Sequence, residues 1–200
     1  MHYGRLYHSK QSVVTKDIVM IALMVLNSSG SYLNSKHTHM IPITFPHQNY
    51  SHRYGFQAQL IEGAPGKNPL VFARLGHDPK LPTVTVYGHY DVFPVKKAEW
   101  SSDPFTLTGK NGYLYGRGTS DDKGPILAIL FAAADLQADG ALPVNLSFVI
   151  EGEEEATSAG FVDAMRDNIH WFKDTDVILL SNSVWLGENK VSTCSIHFTL

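Results

Sequence analysis

Four groups of polar side chains each follow a segment that the sequence predicts to be a strand. The groups are His89 with Asp91, Asp121 with Asp122, Glu154 with Glu155, and Asn182. Carboxylates gathered at one edge of a buried sheet repel one another unless a cation compensates their charge. One imidazole among several carboxylates suits Zn²⁺ or Mn²⁺ better than Ca²⁺. The pattern therefore predicts a metal site at the ends of the strands.

Hydrolysis is the chemistry that such a site would support. Two metal ions that lie close together can share a bridging carboxylate and a bridging water. A carboxylate that is not needed as a metal ligand can accept the proton of that water as a general base. The adjacent Glu154 and Glu155 could divide these two roles between them.

Three short apolar segments would position these groups. Residues 83–87 end at Gly88, residues 144–150 end before the acidic cluster, and residues 177–180 end before Asn182. Active sites in open α/β sheets lie beyond the carboxyl ends of the strands. We therefore expect the three segments to be strands that bring the polar groups to one edge of a sheet.

Two hairpins and two helices are predicted around these strands. The first hairpin pairs residues 56–62, in which apolar and polar residues alternate, with residues 69–75, which are mostly apolar. A glycine-rich turn lies between the two segments. The second pairs residues 105–107 with residues 113–115 around Asn111-Gly112.

The helices are residues 125–138, which are apolar nearly all round and end at Gly140, and residues 161–171. In the second helix, Phe161, Met165 and Ile169 recur at helical spacing. Strands that alternate with helices predict an α/β fold, with a mixed sheet covered by helices on both faces.

Composition excludes several classes of protein. The 200 residues are 44% hydrophobic, which is enough for one domain with a buried core. A net charge of -3 offers no basic face for nucleic acid. The apolar run 18–26 is far shorter than the roughly 20 residues of a membrane-spanning helix, so no membrane partner is expected. The single cysteine, Cys194, cannot form an internal disulfide and fits a reducing, cytoplasmic compartment.

The spacing of the polar motifs resembles a known family. Gly-His-x-Asp, Gly-Arg-Gly-x-x-Asp-x-Lys-Gly and Glu-Gly-x-Glu-Glu occur in this order at residues 88–91, 116–124 and 151–155. This arrangement is similar to that of the co-catalytic zinc exopeptidases, which include carnosinase, aminoacylase and glutamate carboxypeptidase. The similarity covers about residues 56–190. It implies a three-layer catalytic domain over residues 53–200, after a poorly defined N-terminal segment, 1–52.

The resemblance also implies roles for individual residues. His89, Asp121 and Glu155 would bind a pair of zinc ions, with manganese as the other option, and Asp121 would bridge the two ions. Glu154 would be the general base, and Asp91 would orient His89 from outside the ligand shell. The peptide bond that follows Asp121 would be cis. The substrate would be a dipeptide or a γ-glutamyl compound that is cleaved at a peptide or amide bond.

Three departures from the family pattern complicate this interpretation. Asn182 stands where the carnosinase branch has an anionic terminal ligand, so one metal ion would lose charge compensation. The lid domain and the final histidine ligand lie downstream in the family, and the chain ends at Leu200, so we expect both to be missing. The segment 1–52 does not resemble the N-terminal helices of the family.

The asparagine also resembles one subgroup, the peptidase-like subunit of the fungal glutathione-degrading complex. That subunit acts with an amidotransferase-like partner. The alternative function is therefore a non-catalytic subunit or fragment that acts through such a partner.

Other polar residues near the motifs are expected to be structural. Asp122 and Lys123 would make local contacts, and Arg117 would pair with carboxylates near its turn. Glu151 and Glu153 would be solvated or structural. His170 and His197 are the two remaining candidates for the missing histidine ligand, and neither is favoured.

Overall fold

The fold is a mixed six-stranded sheet with a helix on each face. The computed structural model describes residues 55–182 and 194–195. The strand order in the sheet is β1-β2-β6-β3-β7-β8. These strands are β1 (Gln57–Ile61), β2 (Leu70–Leu75), β3 (Thr83–His89), β6 (Asn145–Glu151), β7 (Val177–Leu180) and β8 (Cys194–Ser195). A separate hairpin consists of β4 (Thr108–Lys110) and β5 (Tyr113–Tyr115).

The centre of the sheet is parallel and its flanks are antiparallel. β3 pairs in parallel with β6 on one side and with β7 on the other. β2 pairs antiparallel with β6 and with β1, as the predicted hairpin requires. In the β3–β6 register His89 stands opposite Glu151, so the ends of both strands lie at the same edge.

Each face of the sheet packs against its own helix. Helix α1 (Gly124–Ala138) buries Ile126, Leu130, Ala133 and Ala134 against one face, where Val86 and Phe148 are fully buried. Helix α2 (Phe161–Asp167) packs Ala164 against the opposite face, beside Phe72 and Val149. Alternate residues of β2 therefore contribute to different cores, and the predicted three-layer arrangement is confirmed.

Helix α1 begins and ends where the sequence predicts. Pro125 lies in its first turn, where a missing N–H costs nothing. Gly140 follows the helix with φ 64°, a left-handed conformation that favours glycine. The N–H of Ala141 then donates to the carbonyl of Leu136 (2.8 Å) and closes the last turn.

Several predicted boundaries are wrong. β3 does not end at Gly88 but continues through His89, because the ladder with β6 extends that far. The first strand of the second hairpin is Thr108–Lys110 rather than residues 105–107, since Asn111-Gly112 forms a tight two-residue turn with φ of 52° and 83°. Helix α2 ends at Asp167, and Ile169 is 60% exposed in a separate short turn, so it is not part of a buried face.

Some sequence predictions fall on parts of the chain that the structure does not describe. The N-terminal segment 1–52 and His197 lie outside the described residues. Within the described residues, no helix is long and apolar enough to cross a bilayer.

Truncation of the central core residue should destabilise the chain strongly. Phe148 is fully buried and its ring lies edge-on to that of Phe56, with 5.9 Å between the centroids. We expect Phe148→Ala to lower the free energy of unfolding by about 3–5 kcal/mol in urea titrations. Val162→Ala on α2, where the side chain is 64% exposed, should change it by less than about 0.5 kcal/mol. Equal effects of the two substitutions would contradict this description of the core.

Candidate active site

His89 is the centre of the cluster of polar residues at the sheet edge. Its side chain is fully buried at the end of β3. Its Nε2 atom lies 2.9 Å from Oδ1 of Asp121 and 3.7 Å from Oε2 of Glu154. Its Nδ1 atom lies 3.3 Å from Oδ1 of Asp91. The imidazole is therefore held between carboxylates on both nitrogens.

Asp91 connects the end of β3 to the acidic loop after β6. The backbone N–H of Glu154 donates to Oδ1 of Asp91 (3.2 Å), and the N–H of Glu155 donates to Oδ2 (2.9 Å). The Asp91 side chain is only 9% exposed. The carboxylate of Asp91 therefore holds the backbone of both glutamates that follow β6 and lies beside the ring of His89. The backbone carbonyl of Asp91 also lies 3.3 Å from Nδ1 as a hydrogen-bond partner of the ring.

Without a metal ion, the surrounding carboxylates favour the charged form of the His89 imidazole. Burial lowers the pKa of His89, but hydrogen bonds to Asp91 and Asp121 outweigh burial and raise the pKa from 6.5 to about 9. The surrounding carboxylates thus create a strongly cation-attracting position at Nε2. Burial and the nearby Asp121 carboxylate also raise the pKa of Glu155.

The turn Thr119–Lys123 presents Asp121 to His89. The peptide bond Asp121–Asp122 is cis, as the resemblance implied. Asp121 breaks the helical geometry of the turn with φ −138° and ψ 95°, and its side chain stays 60% exposed. The turn therefore points the first carboxylate outward, toward the histidine and solvent.

The environment of the Asp122 side chain is the opposite of the exposed environment of Asp121. Its side chain is fully buried, and neither carboxylate oxygen has a hydrogen-bond partner among the residues that the structure describes. Burial raises its pKa from 3.8 to about 7, although nearby His89 lowers it. The carboxylate packs against Gly88, where a Cβ would also lie 2.6 Å from Cγ1 of Ile126. Gly88 is therefore required for the close approach of α1 to β3.

Asn182 follows the strand that flanks β3. The last pair of the β3–β7 ladder joins Tyr87 to Leu180, and Asn182 comes two residues later and is half-buried. The contacts among the described residues join the other three sequence-predicted groups at the edge of the sheet, and the role of Asn182 stays a prediction.

The donor set fits a divalent transition metal. Two ligands of one tetrahedral zinc ion, each about 2.0–2.1 Å from the metal, lie roughly 3.4 Å apart. The two proposed ligands His89 and Asp121 have their Nε2 and Oδ1 atoms 2.9 Å apart, somewhat closer than that value. Metal-binding histidines commonly have their other nitrogen anchored by a carboxylate, as Asp91 does here. Among the described residues, however, no group of three or more His, Cys, Asp or Glu side chains is arranged so that it could hold a metal ion.

Two neighbouring residues, Glu151 and Arg117, make structural contacts. Glu151, expected to be either solvated or structural, is structural: it is 2% exposed, and its carboxylate accepts hydrogen bonds from the hydroxyls of Tyr87 and Ser158. Arg117 donates from Nε to the carbonyl of Phe93 (3.1 Å) rather than to a carboxylate.

His170 is also excluded from the cluster. It is exposed in the turn Ile169–Trp171, and its carbonyl accepts a hydrogen bond from Arg74. Arg74 pairs with Ser147, near the start of β6 and therefore at the opposite end of that strand from Glu151.

Comparisons with known proteins agree with the motifs. The profile of peptidase family M20/M25/M40 matches residues 85–195. The β-Ala-His dipeptidase of Mus musculus is 46% identical over 125 residues, which are 61% of this chain and 25% of that protein. The Cys-Gly metallodipeptidase DUG1 of Candida albicans is 41% identical over 127 residues, 61% of this chain and 26% of that protein.

A solved structure shows the same fold. The crystal structure of human carnosine dipeptidase 1 superposes with a TM-score of 0.64 at 28% identity, over 88% of this chain and 41% of that one. The chain spans about a quarter of the length of the curated relatives that it matches.

The buried Asp122 should make the metal-free chain less stable at higher pH. A carboxylate whose folded pKa is about 7, above the ordinary 3.8, stabilises the fold only while it is protonated. Its contribution is complete below about pH 4 and is lost as the pH rises through 7. We therefore expect Asp122→Asn to gain stability relative to the unsubstituted chain between pH 5 and 8, measured by urea unfolding with a chelator present. The exposed Asp139→Asn is the control, and parallel profiles for Asp122→Asn and the unsubstituted chain would contradict this expectation.

Proposed function

Because the chain belongs to peptidase family M20/M25/M40, we propose that it carries the metal-binding part of a hydrolase that cleaves dipeptides. The observation that carries this proposal is His89, buried between Asp91 on one nitrogen and Asp121 on the other. The names of the similar dipeptidases support the same substrate class, a short peptide with a free C-terminus.

The proposed ligands are His89, Asp121 and Glu155, with Asn182 as a neutral fourth candidate. Zinc is the proposed ion, in the pair expected for this family, and manganese is the other option. The bound metal would lower the pKa of a water and polarise the scissile carbonyl. Asp121 is the candidate bridge because its carboxylate is exposed beside His89.

Glu154 is the proposed general base. Its carboxylate is one-third exposed, and its Oε2 lies 3.7 Å from Nε2 of His89, so it faces the position where the metal would sit. A carboxylate in this position can take the proton of the attacking water and pass it to the leaving amine. Asp91 would hold Glu154 through its backbone N–H while it keeps His89 in the tautomer that leaves Nε2 free for the metal.

The second candidate function is a subunit that does not turn over substrate. The residue that favours it is Asn182, a neutral side chain two residues after β7, where the resemblance to the carnosinase branch implies a carboxylate. With one negative charge fewer, one of the two metal positions should bind more weakly. A γ-glutamyl substrate is a further prediction for the hydrolase, and an amidotransferase-like partner is a prediction for the non-catalytic subunit. A cytoplasmic location, inferred from the single cysteine, is a prediction that applies to both.

Two substitutions separate metal binding from catalysis. Glu154→Gln should retain zinc and lose about 10²–10⁴-fold in kcat, because the amide cannot accept the proton of the water. Asp121→Ala should lose both zinc and activity. The measurements are elemental analysis of the purified chain and hydrolysis of β-Ala-His and Cys-Gly, with the exposed Glu99→Gln as control.

The result also decides between the two candidate functions. About two zinc ions per chain together with hydrolysis would support the peptidase. One ion or none, without hydrolysis of either dipeptide, would overturn it and favour the non-catalytic subunit.

A further inference from the structure

Glu153, the residue directly before the proposed general base, is held by the turn between β1 and β2. Its carboxylate is only 12% exposed. Oε1 accepts hydrogen bonds from the backbone N–H of Asn68 (3.0 Å) and from its side-chain amide (2.9 Å). Oε2 accepts one from Nζ of Lys67 (2.9 Å). Both carboxylate oxygens of Glu153 thus accept hydrogen bonds from residues that are remote in the sequence.

The same turn contacts the backbone of Gly152, the residue directly before Glu153. The amide of Asn68 also donates to the carbonyl of Gly152 (2.8 Å). A Cβ on Gly152 would lie 2.6 Å from Cβ of Asn68 and would collide with the hydroxyl of Tyr90. That hydroxyl donates to the carbonyl of Pro69 (2.7 Å). The turn, the residue after β3 and the acidic loop therefore form one packed unit.

Glu153 and Asp91 hold the same short stretch of backbone through different partners. The carbonyl of Glu153 shares a peptide group with the N–H of Glu154, which donates to Asp91. That carbonyl also accepts the N–H of Ala156 (3.1 Å) and of Ser158 (2.8 Å). Asp91 alone leaves the loop free to pivot about one carboxylate, whereas a second anchor at Glu153 removes that freedom.

We propose that Glu153, held by Asn68, is a positioning residue that sets the placement of Glu154 and Glu155 relative to His89. This inference rests on the proposed roles of those two glutamates. It adds the β1–β2 turn, which bears none of the metal-site motifs, to the structure that supports the site. The Lys67 contact should matter less than the Asn68 contacts, because the lysine is 42% exposed and solvent screens such a pair.

Three substitutions and one control test the proposal. Glu153→Ala removes the anchor, and Glu153→Gln keeps an oxygen that can accept from the N–H of Asn68. Asn68→Ala removes the side-chain donor from the other partner. The matched control is Asn145→Ala, because the amide of Asn145 likewise holds a loop by donating to the carbonyls of Asp78 (2.7 Å) and Leu81 (3.1 Å). That loop precedes β3 and lies at the other end of the strand from His89.

Three properties are measured for each variant: zinc affinity by competition with a chromophoric chelator, kcat and KM on one dipeptide, and amide hydrogen exchange of Glu154 and Glu155 in the metal-free chain. Glu153→Ala and Asn68→Ala should weaken zinc binding by about tenfold, lower kcat more than they change KM, and speed exchange of the two amides. Glu153→Gln should keep most of the zinc affinity, the kinetic constants and the slow amide exchange of the unsubstituted chain. Asn145→Ala should lower stability and leave all three unchanged.

The outcomes separate this inference from the proposed function. If Glu153→Ala and Asn68→Ala behave as Asn145→Ala does, the positioning role is wrong even when the unsubstituted chain binds zinc and hydrolyses dipeptides. If the unsubstituted chain does neither, the proposed function fails. In that case faster exchange of the Glu154 and Glu155 amides in Glu153→Ala alone would still support the anchoring role, and unchanged exchange would overturn it.

Discussion

The carboxylate of Asp91 is the contact on which the rest of the site depends. It lies beside Nδ1 of His89 and accepts the backbone N–H groups of Glu154 and Glu155. Hydrogen bonds to an ionised acceptor are stronger than neutral ones, and this acceptor is almost fully buried. Two motifs that lie far apart in the sequence are thereby held at a fixed distance. The direction in which Nε2 of His89 points follows from the same contact.

The parallel pair of β3 and β6 makes that contact possible. Parallel strands need a long crossover, which here contains the turn Thr119–Lys123 and helix α1. Because the two strands end in register, with His89 opposite Glu151, the crossover also delivers Asp121 to the same edge. The helix can pack closely on β3 only because Gly88 has no side chain to meet Ile126. The parallel pairing of β3 and β6 and its crossover therefore determine both the packing of the core and the position of the site.

Much of this arrangement could be predicted from the sequence, because it depends on patterns of local origin. Apolar strands that end in polar residues, and the glycine after α1, have clear local signatures. The boundaries of β3 and of the second hairpin were misplaced because the ladder partners and the turn geometry decide them. The sequence leaves open whether Glu151 is solvated or structural, because its partners, Tyr87 and Ser158, are brought to it only by the fold. The burial of Asp122 and the contacts of Glu153 likewise depend on segments that are distant in the sequence, and no local sequence pattern predicts such contacts.

The central claim is that His89 and the carboxylates around it form one metal-binding centre. X-ray absorption at the zinc edge of the zinc-loaded chain tests this most directly, in parallel with His89→Gln. The account predicts a first shell of nitrogen and oxygen only, at about 2.0–2.1 Å, with imidazole scattering that the substitution weakens. A sulfur ligand in the first shell, or a spectrum that His89→Gln leaves unchanged, would place the metal elsewhere and contradict the account.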